Sequence, residues 1–327
     1  MGSCRLSELN TIAARVRSGD RLALARLITD IENGGGDYQH ILDLLYPDTG
    51  SAHIIGVTGA PGSGKSTLVN CLARELKQGK SERAAKIGII AVDPSSPFTG
   101  GALLGDRVRM QFHANDPEIF IRSMASRGAL GGIANATDNV AMAMDAAGYD
   151  PILIETVGAG QSEVEIASLA HTTIVVEAPG LGDDVQAAKA GLLEIADILV
   201  VNKAEKPAAE TTAAVLMRML TLGEEVKGKR MGLNWQVPLV KTSAIDCGGV
   251  DELAAHIRAH YQFLHQSGAW DKCDLMRLSK RVNHLLRESL FADWQNQLDQ
   301  QSYNDLMVQV MHHQISPHQA VQKLLNR

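Results

Sequence analysis

From Ala52 onward the chain alternates short β-branched runs with helix-compatible stretches. The runs are His53–Val57, Ile87–Val92, Ile119–Ile121, Ile152–Glu155, Thr173–Glu177, Ile198–Asn202 and Val237–Lys241. Such alternation predicts an α/β fold: a mostly parallel sheet with helices on both faces. Ahead of it, Arg5–Arg17 and Arg21–Ile31 carry apolar residues at helical spacing, separated by Ser18-Gly19-Asp20. Asn33-Gly34-Gly35-Gly36-Asp37 reads as a break. After about residue 267 strand signals stop. Leu275, Leu278, Val282, Leu286, Leu290 and Trp294 then recur three and four apart, giving one apolar helix face. Ser316-Pro317-His318 reads as the N-cap and first turn of a last short helix. The predicted division is an N-terminal helical segment (1–50), a central α/β domain (51–267) and a C-terminal helical extension (268–327).

Within the first strand–helix unit stands Gly59-Ala60-Pro61-Gly62-Ser63-Gly64-Lys65-Ser66, which fits G-x-x-x-x-G-K-[ST] at every fixed position. Glycines let successive backbone N–H groups point into one concavity, and the following helix adds the positive end of its dipole. Lys65 is expected to reach the β- and γ-phosphates and Ser66 to offer its hydroxyl to Mg²⁺, with Thr67 next in the binding set. The loop thus predicts a P-loop nucleoside triphosphatase that binds its nucleotide with Mg²⁺.

Ile152-Leu153-Ile154-Glu155 is an apolar strand ending in an acid, with Thr156-Val157-Gly158 after it. In GTPases such a strand end and glycine form switch II. The Gly158 N–H is placed to meet the γ-phosphate, and Glu155 to hold Mg²⁺ through water or orient the attacking water. The plainer reading of Glu155 is a cap on the next helix. Base choice is expected at the end of a later strand. There Asn202-Lys203-Ala204-Glu205 resembles the guanine motif N-K-x-D. An acid at that place accepts from guanine N1–H and N2–H, a donor pair adenine lacks. Asn202 and Lys203 are expected to brace the loop and cover the ring. Glu205 stands where Asp is usual, and its extra methylene moves the carboxylate. Thr242-Ser243-Ala244 resembles the last guanine loop, with a backbone N–H for guanine O6 at Ser243-Ala244. GTP and GDP are the predicted ligands.

Between these elements lie longer stretches: "AVDPSSPFTGGALLGDRVRM" (91–110), "ETVGAGQSEVEIA" (155–167) and "GLGDDVQAAKAGLLEIADILVVNKAE" (180–205). Together they resemble the MeaB/ArgK-type G proteins, from about Arg5 to the C-terminus and most densely over residues 54–206. The resemblance implies a GTPase that gates delivery of adenosylcobalamin to a B12-dependent acyl-CoA mutase and protects or reactivates it. It implies that Asp93 and Asp106 join Glu155 near Mg²⁺, so that Lys65, Glu155, Asp93 and Gly158 form the catalytic set. It also implies a switch III segment, Gly180 to Gly191, with Gln186 and Lys189 at its polar positions, and a homodimer built through the C-terminal helices. Two departures stand out: Glu205, and "SMASRGALGG" (123–132) in place of a Pro-Ser-Ser-Gly form. They suggest a subgroup serving another mutase, such as one for isobutyryl-CoA or 2-hydroxyisobutyryl-CoA. Arg107 and Arg109 are as readily partners of acids as catalytic cations. Hydrolysis without a partner is therefore expected to be slow, and the mutase to accelerate it.

The net charge of −6 gives no sign of a nucleic-acid or membrane partner, and no apolar stretch reaches membrane-spanning length. Cys4, Cys71, Cys247 and Cys273 form no C-x-x-C pair and read as reduced thiols of a cytoplasmic protein. His256 and His260, four apart on a helix, read as solvated or packed rather than metal-binding, and Met142 and Met144 as packing. The rival readings are a metal-inserting GTPase, an ATPase energising amino-acid transport and a small-molecule P-loop kinase. The sequence carries no C-x-C-C or His-rich metal motif for the first.

Overall fold

The structure is a computed structural model that describes residues 2–78, 86–94, 116–126, 132–156, 162–180, 191–227 and 235–325. Its elements fall into two units, Met1–Arg277 and Leu278–Arg327. The first is built on seven strands: β1 (Ile54–Thr58), β2 (Ile87–Pro94), β3 (Ile119–Ser126), β4 (Ile152–Thr156), β5 (Thr172–Glu177), β6 (Ile198–Asn202) and β7 (Leu239–Thr242). They form one sheet in the order β3-β2-β4-β1-β5-β6-β7, every neighbouring pair parallel. All seven expected strands are present. The last begins two residues late. Pro238 has no N–H to give a ladder, and its carbonyl accepts from Leu199 N at 2.9 Å just ahead of the strand.

Alternation along each strand sends side chains to opposite faces. Ile55, Val57, Ile89, Leu153, Ile174, Ile198 and Val200 pack on helices α4 (Lys65–Gln78) and, further on, Val250–Gln266. Ile54, Ile90, Ile152 and Ile154 point the other way. They share a core with α1 (Gly2–Arg17), α2 (Arg21–Asn33), α3 (Tyr38–Leu45) and α5 (Gly132–Ala146). Met142 and Met144 are buried there, as expected. Helix α6 (Ser162–Leu169) precedes β5, and α7 (Leu192–Ile195) and α8 (Ala209–Lys227) come after it, on either side of β6 in the chain. The last two cover Val175, Leu199 and Val201. The Asp20 carboxylate caps α2 by accepting from Leu22 N and Ala23 N, and Gly34 (φ 62°) ends it in the left-handed region. The sequence signals at Ser18–Asp20 and Asn33–Asp37 are thus the observed helix boundaries.

Helix α9 (Val250–Gln266) is followed by α10 (Ala269–Gln297), α11 (Gln300–Met311) and α12 (Pro317–Leu325). Within the second unit, Ser316 Oγ accepts from Gln319 N while Gln319 Oε1 accepts from Ser316 N, a reciprocal cap. Val282, Leu286 and Leu290 on α10 are more than half exposed.

One expectation is corrected. Cys71 of α4 and Cys247, between β7 and α9, are not separate thiols but a disulfide with Cα atoms 5.6 Å apart across 176 residues. Spacing along the chain carries no sign of it, because α4 and α9 meet only through packing on one sheet face.

Candidate functional site

The carboxyl ends of β1, β4, β6 and β7 lie at one edge of the sheet, and chain order reverses around β1, where open α/β sheets bind ligands. The loop from Gly59 to Gly64 leaves β1 there and enters α4 at Lys65. Its shape depends on glycine. Gly59 (φ 136°) passes so close to the Val176 carbonyl that any Cβ would collide with backbone. Gly64 (φ 90°) passes so close to Asn202 that a Cβ would sit 2.5 Å from Nδ2. Ala60, Pro61 and Gly62 form the open rim, and Ser63 is fully buried beneath it.

Lys65 is buried at the first position of α4, and its Nζ donates to the carbonyls of Gly59 (2.7 Å) and Ala60 (2.9 Å). The ammonium therefore lies against the loop itself. Ser66 donates its hydroxyl to Glu155 Oε1 at 2.5 Å. Glu155 is buried at the end of β4, level with Val57 of β1 and Ala91 of β2. Beside it Thr156 Oγ1 donates to Thr58 Oγ1 at 3.0 Å, fastening the two strand ends. The strand β2 carries Asp93 one residue past the Val92–Thr156 pair, so its backbone reaches the same edge.

Asn202, buried at the end of β6, spans three elements. Its Nδ2 donates to Ser63 O (2.8 Å), and its Oδ1 accepts from Thr242 Oγ1 (3.1 Å) and Ala244 N (3.2 Å). Lys203, held at φ 60°, donates Nζ to Gly62 O at 2.6 Å. Glu205 is exposed in the following turn. Ser243 N donates to Gly248 O at 2.9 Å and closes the loop after β7. A hydrogen bond from Ser243, with another from Gly248 N, lowers the Asp246 carboxyl below its ordinary value. Gly249 (φ 72°) then opens α9, where a Cβ would strike the Lys241 carbonyl.

The structure thus gathers the predicted Gly59–Thr67, Glu155, Asn202, Lys203, Glu205, Ser243 and Ala244 at one sheet edge. Asp106, Gly158, Gln186 and Lys189 lie outside the described residues. Sequence reasoning missed Thr58, and it named Thr156 and Thr242 only within the switch II and last guanine stretches, not for the hydroxyls that tie the strand ends; each follows an apolar, β-branched run, which is the available signal.

At the opposite edge of the sheet, where β1 and β5 begin, is a second polar cluster. Thr172 Oγ1 lies 2.7 Å from His53 Nε2 and 2.8 Å from His260 Nδ1, all three residues buried. His171 Nδ1 accepts from Ile54 N at 3.0 Å, so the proton of the neutral ring sits on Nε2, facing Asp274 Oδ1 at 3.1 Å. Arg277 flanks that pair, and Trp270 stacks on the ring at 3.9 Å. Burial lowers His53 well below 6.5, helped by repulsion from the neighbouring histidines; burial also lowers His171, against the pull of Asp274. Among the described residues no group of three potential metal ligands comes together. His260 is buried.

Comparison with known proteins agrees with this geometry. Residues 24–299 match the family model described as "Methylmalonyl Co-A mutase-associated GTPase MeaB". A Pyrococcus horikoshii protein is 42% identical over 98% of this chain and 99% of its own. "GTPase ArgK" of Escherichia coli is 33% identical over 95% of this chain and 93% of its own. "Methylmalonic aciduria type A homolog, mitochondrial" of Caenorhabditis elegans is 30% identical over 85% and 72%. The solved structure titled "Crystal structure of LAO/AO transport system kinase" superposes with a TM-score of 0.70 at 27% identity, covering 98% of this chain and 97% of that one. A phosphate loop continuous with α4, a guanine-type loop pinned to it by Asn202, and a family match spanning most of the chain lead to one statement: this chain is a GTPase and belongs to the MeaB family of methylmalonyl Co-A mutase-associated GTPases.

Proposed function

We propose that this GTPase escorts an adenosylcobalamin-dependent acyl-CoA mutase, hydrolysing GTP to GDP and phosphate to gate cofactor loading and to protect or reactivate that enzyme. The observation that carries the hydrolytic half is the Ser66–Glu155 hydrogen bond, which joins the loop hydroxyl to the acid at the end of β4. Hydroxyl and carboxylate oxygens are hard donors suited to magnesium. Ser66 and Glu155 would hold the ion, with Asp93 and Asp106 as the further acids the family resemblance implies. Bound magnesium neutralises charge on the β- and γ-phosphates.

The chain's own residues do the rest. The N–H groups of the loop from Gly59 to Ser66 grip the β-phosphate, and Lys65 leaves its carbonyl partners to stabilise charge on the γ-phosphate as its bond to the β-γ bridging oxygen breaks. Glu155 orients water for in-line attack, and Gly158 gives its N–H to the γ-phosphate until that group departs. Glu205 accepts from guanine N1–H and N2–H, a backbone N–H at Ser243 or Ala244 exchanges its internal partner, Gly248 O or Asn202 Oδ1, for O6, and Lys203 covers the ring. Loss of the γ-phosphate releases the loops carrying Asp93 and Gly158, and with them Gln186 and Lys189 in the switch III segment. Such release converts hydrolysis into altered partner affinity.

The partner half is supported by the printed family name and by the C. elegans relative. The exposed Val282, Leu286 and Leu290 supply an apolar face for the homodimer. A cytoplasmic location is part of the same proposal. Among the described residues no helix is long and apolar enough to cross a membrane. The test is steady-state GTP hydrolysis with and without the B12-dependent acyl-CoA mutase of the same organism. The proposal expects the mutase to raise the rate several-fold and to bind the GTP and GDP forms unequally. An unchanged rate together with equal affinities would overturn it.

A further inference from the structure

We infer that Cys71 and Cys247 form a redox modification site that sets how long this GTPase holds its guanine nucleotide. The inference rests on the nucleotide reading above. Cys71 lies inside α4, six positions past Lys65, and is buried. Cys247 lies in the guanine loop between Ala244 and Gly249, partly exposed and at φ 59°. The disulfide therefore joins the helix that carries the phosphate lysine to the loop that would read the base.

The surroundings transmit the tie directly. Cys71 Sγ sits 3.5 Å from the carbonyl oxygen of Ala244, whose own N–H bonds Asn202 Oδ1. The Ser243–Gly248 hydrogen bond and the Asp246 carboxylate on Gly248 N make residues 243–248 a small closed turn, so fixing Cys247 fixes Ala244. Opening the S–S bond leaves that turn attached to β7 and α9 but no longer to α4. The base loop then gains freedom, and nucleotide binding must supply the ordering that the covalent tie had provided. Partial exposure of Cys247 gives small thiols access to the sulfur pair.

The interconversion is thiol–disulfide exchange with a low-molecular-weight disulfide such as oxidised glutathione. The Cys247 thiolate attacks one sulfur of the small disulfide and expels a thiolate. Cys71, as thiolate, attacks Cys247 Sγ and expels the second. One S–S bond forms as another is lost; the two cysteines lose two electrons and two protons, and two small thiols carry both away.

The test uses the full-length wild-type protein equilibrated in oxidised or reduced glutathione, with alkylation and mass measurement to count thiols, followed by release of mant-GDP into excess GDP. Two of the four cysteines should resist alkylation after oxidation, and reduction should speed mant-GDP release about 3- to 10-fold, the range expected from freeing a short ordered segment. Cys247→Ser should release fast in both buffers, while Cys273→Ser should keep the wild-type response. Four reactive thiols in every buffer, or equal release from verified oxidised and reduced protein, would overturn the inference while leaving the GTPase reading standing. Failure of both forms to bind mant-GDP would overturn the GTPase reading and this inference with it.

Discussion

The Asn202 carboxamide donates to the Ser63 carbonyl at 2.8 Å, pinning the end of β6 to the phosphate loop across 139 residues of chain. The same side chain accepts from Thr242 Oγ1 and Ala244 N, so one buried group aligns the phosphate, base and β7 loops. The two halves of the proposed nucleotide site are thus positioned against each other by one side chain.

Asn202→Ala strands those partners without solvent. Unsatisfied buried polar groups cost about 1–3 kcal/mol each, so the variant should lose about 2–4 kcal/mol of stability. Urea unfolding checks this. A loss below about 0.5 kcal/mol would show that water replaces the carboxamide.

Gly64→Ala tests the same junction from the other side. Its Cβ would stand 2.5 Å from Asn202 Nδ2, on a backbone held at φ 90°. Strain of about 1–3 kcal/mol is expected, together with loss of the Asn202–Ser63 bond. Melting temperature and GDP affinity should fall together; a fall in melting temperature alone would uncouple the junction from binding.

Lys65→Ala removes an ammonium that donates to Gly59 O and Ala60 O. Hydrolysis should drop about 100-fold or more, the scale for losing a preorganised electrostatic group. Circular dichroism should show an unchanged fold. A variant that hydrolyses GTP at the parent rate would remove Lys65 from the mechanism.

The buried histidines predict acid sensitivity. His53 and His171 titrate below 6.5 in the folded chain because burial disfavours their charged forms, while unfolded histidine titrates near that value. Below pH 6.5 the unfolded state binds the extra protons, so the stability these groups contribute is present above 6.5 and is lost as pH falls. Each contributes a slope of up to about 1.4 kcal/mol per pH unit. His260, His265, Asp274, Arg277 and Asp197 face the cluster and modulate it. Urea unfolding between pH 7.0 and 5.5 should show the loss, and His53→Gln should flatten it. An identical slope in that variant would exclude His53 as a source.

Much of this is legible in the sequence. Most strands carry a β-branched run, and Gly59, Gly62 and Gly64 sit where the loop needs positive φ. Asp20 and Ser316 mark helix starts because their side chains accept from backbone N–H groups two and three residues on. What was hidden depends on packing between distant segments. The Cys71–Cys247 bond needs α4 and α9 side by side. The His53–Thr172–His260 chain needs the starts of β1 and β5 beneath α9. Neither leaves a spacing in the sequence, since the partners lie 88 to 176 residues apart.

The central claim is that this sheet edge binds guanine nucleotides through the Asn202-Lys203-Ala204-Glu205 loop and the cradle ending at Lys65. Titration calorimetry of the full chain with GDP and with ADP, magnesium present, tests it most directly. The account predicts one GDP site per chain, ADP weaker by about 100-fold or more, and a preference that collapses in Glu205→Ala. Equal affinity for the two nucleotides, or no heat with either, would contradict it.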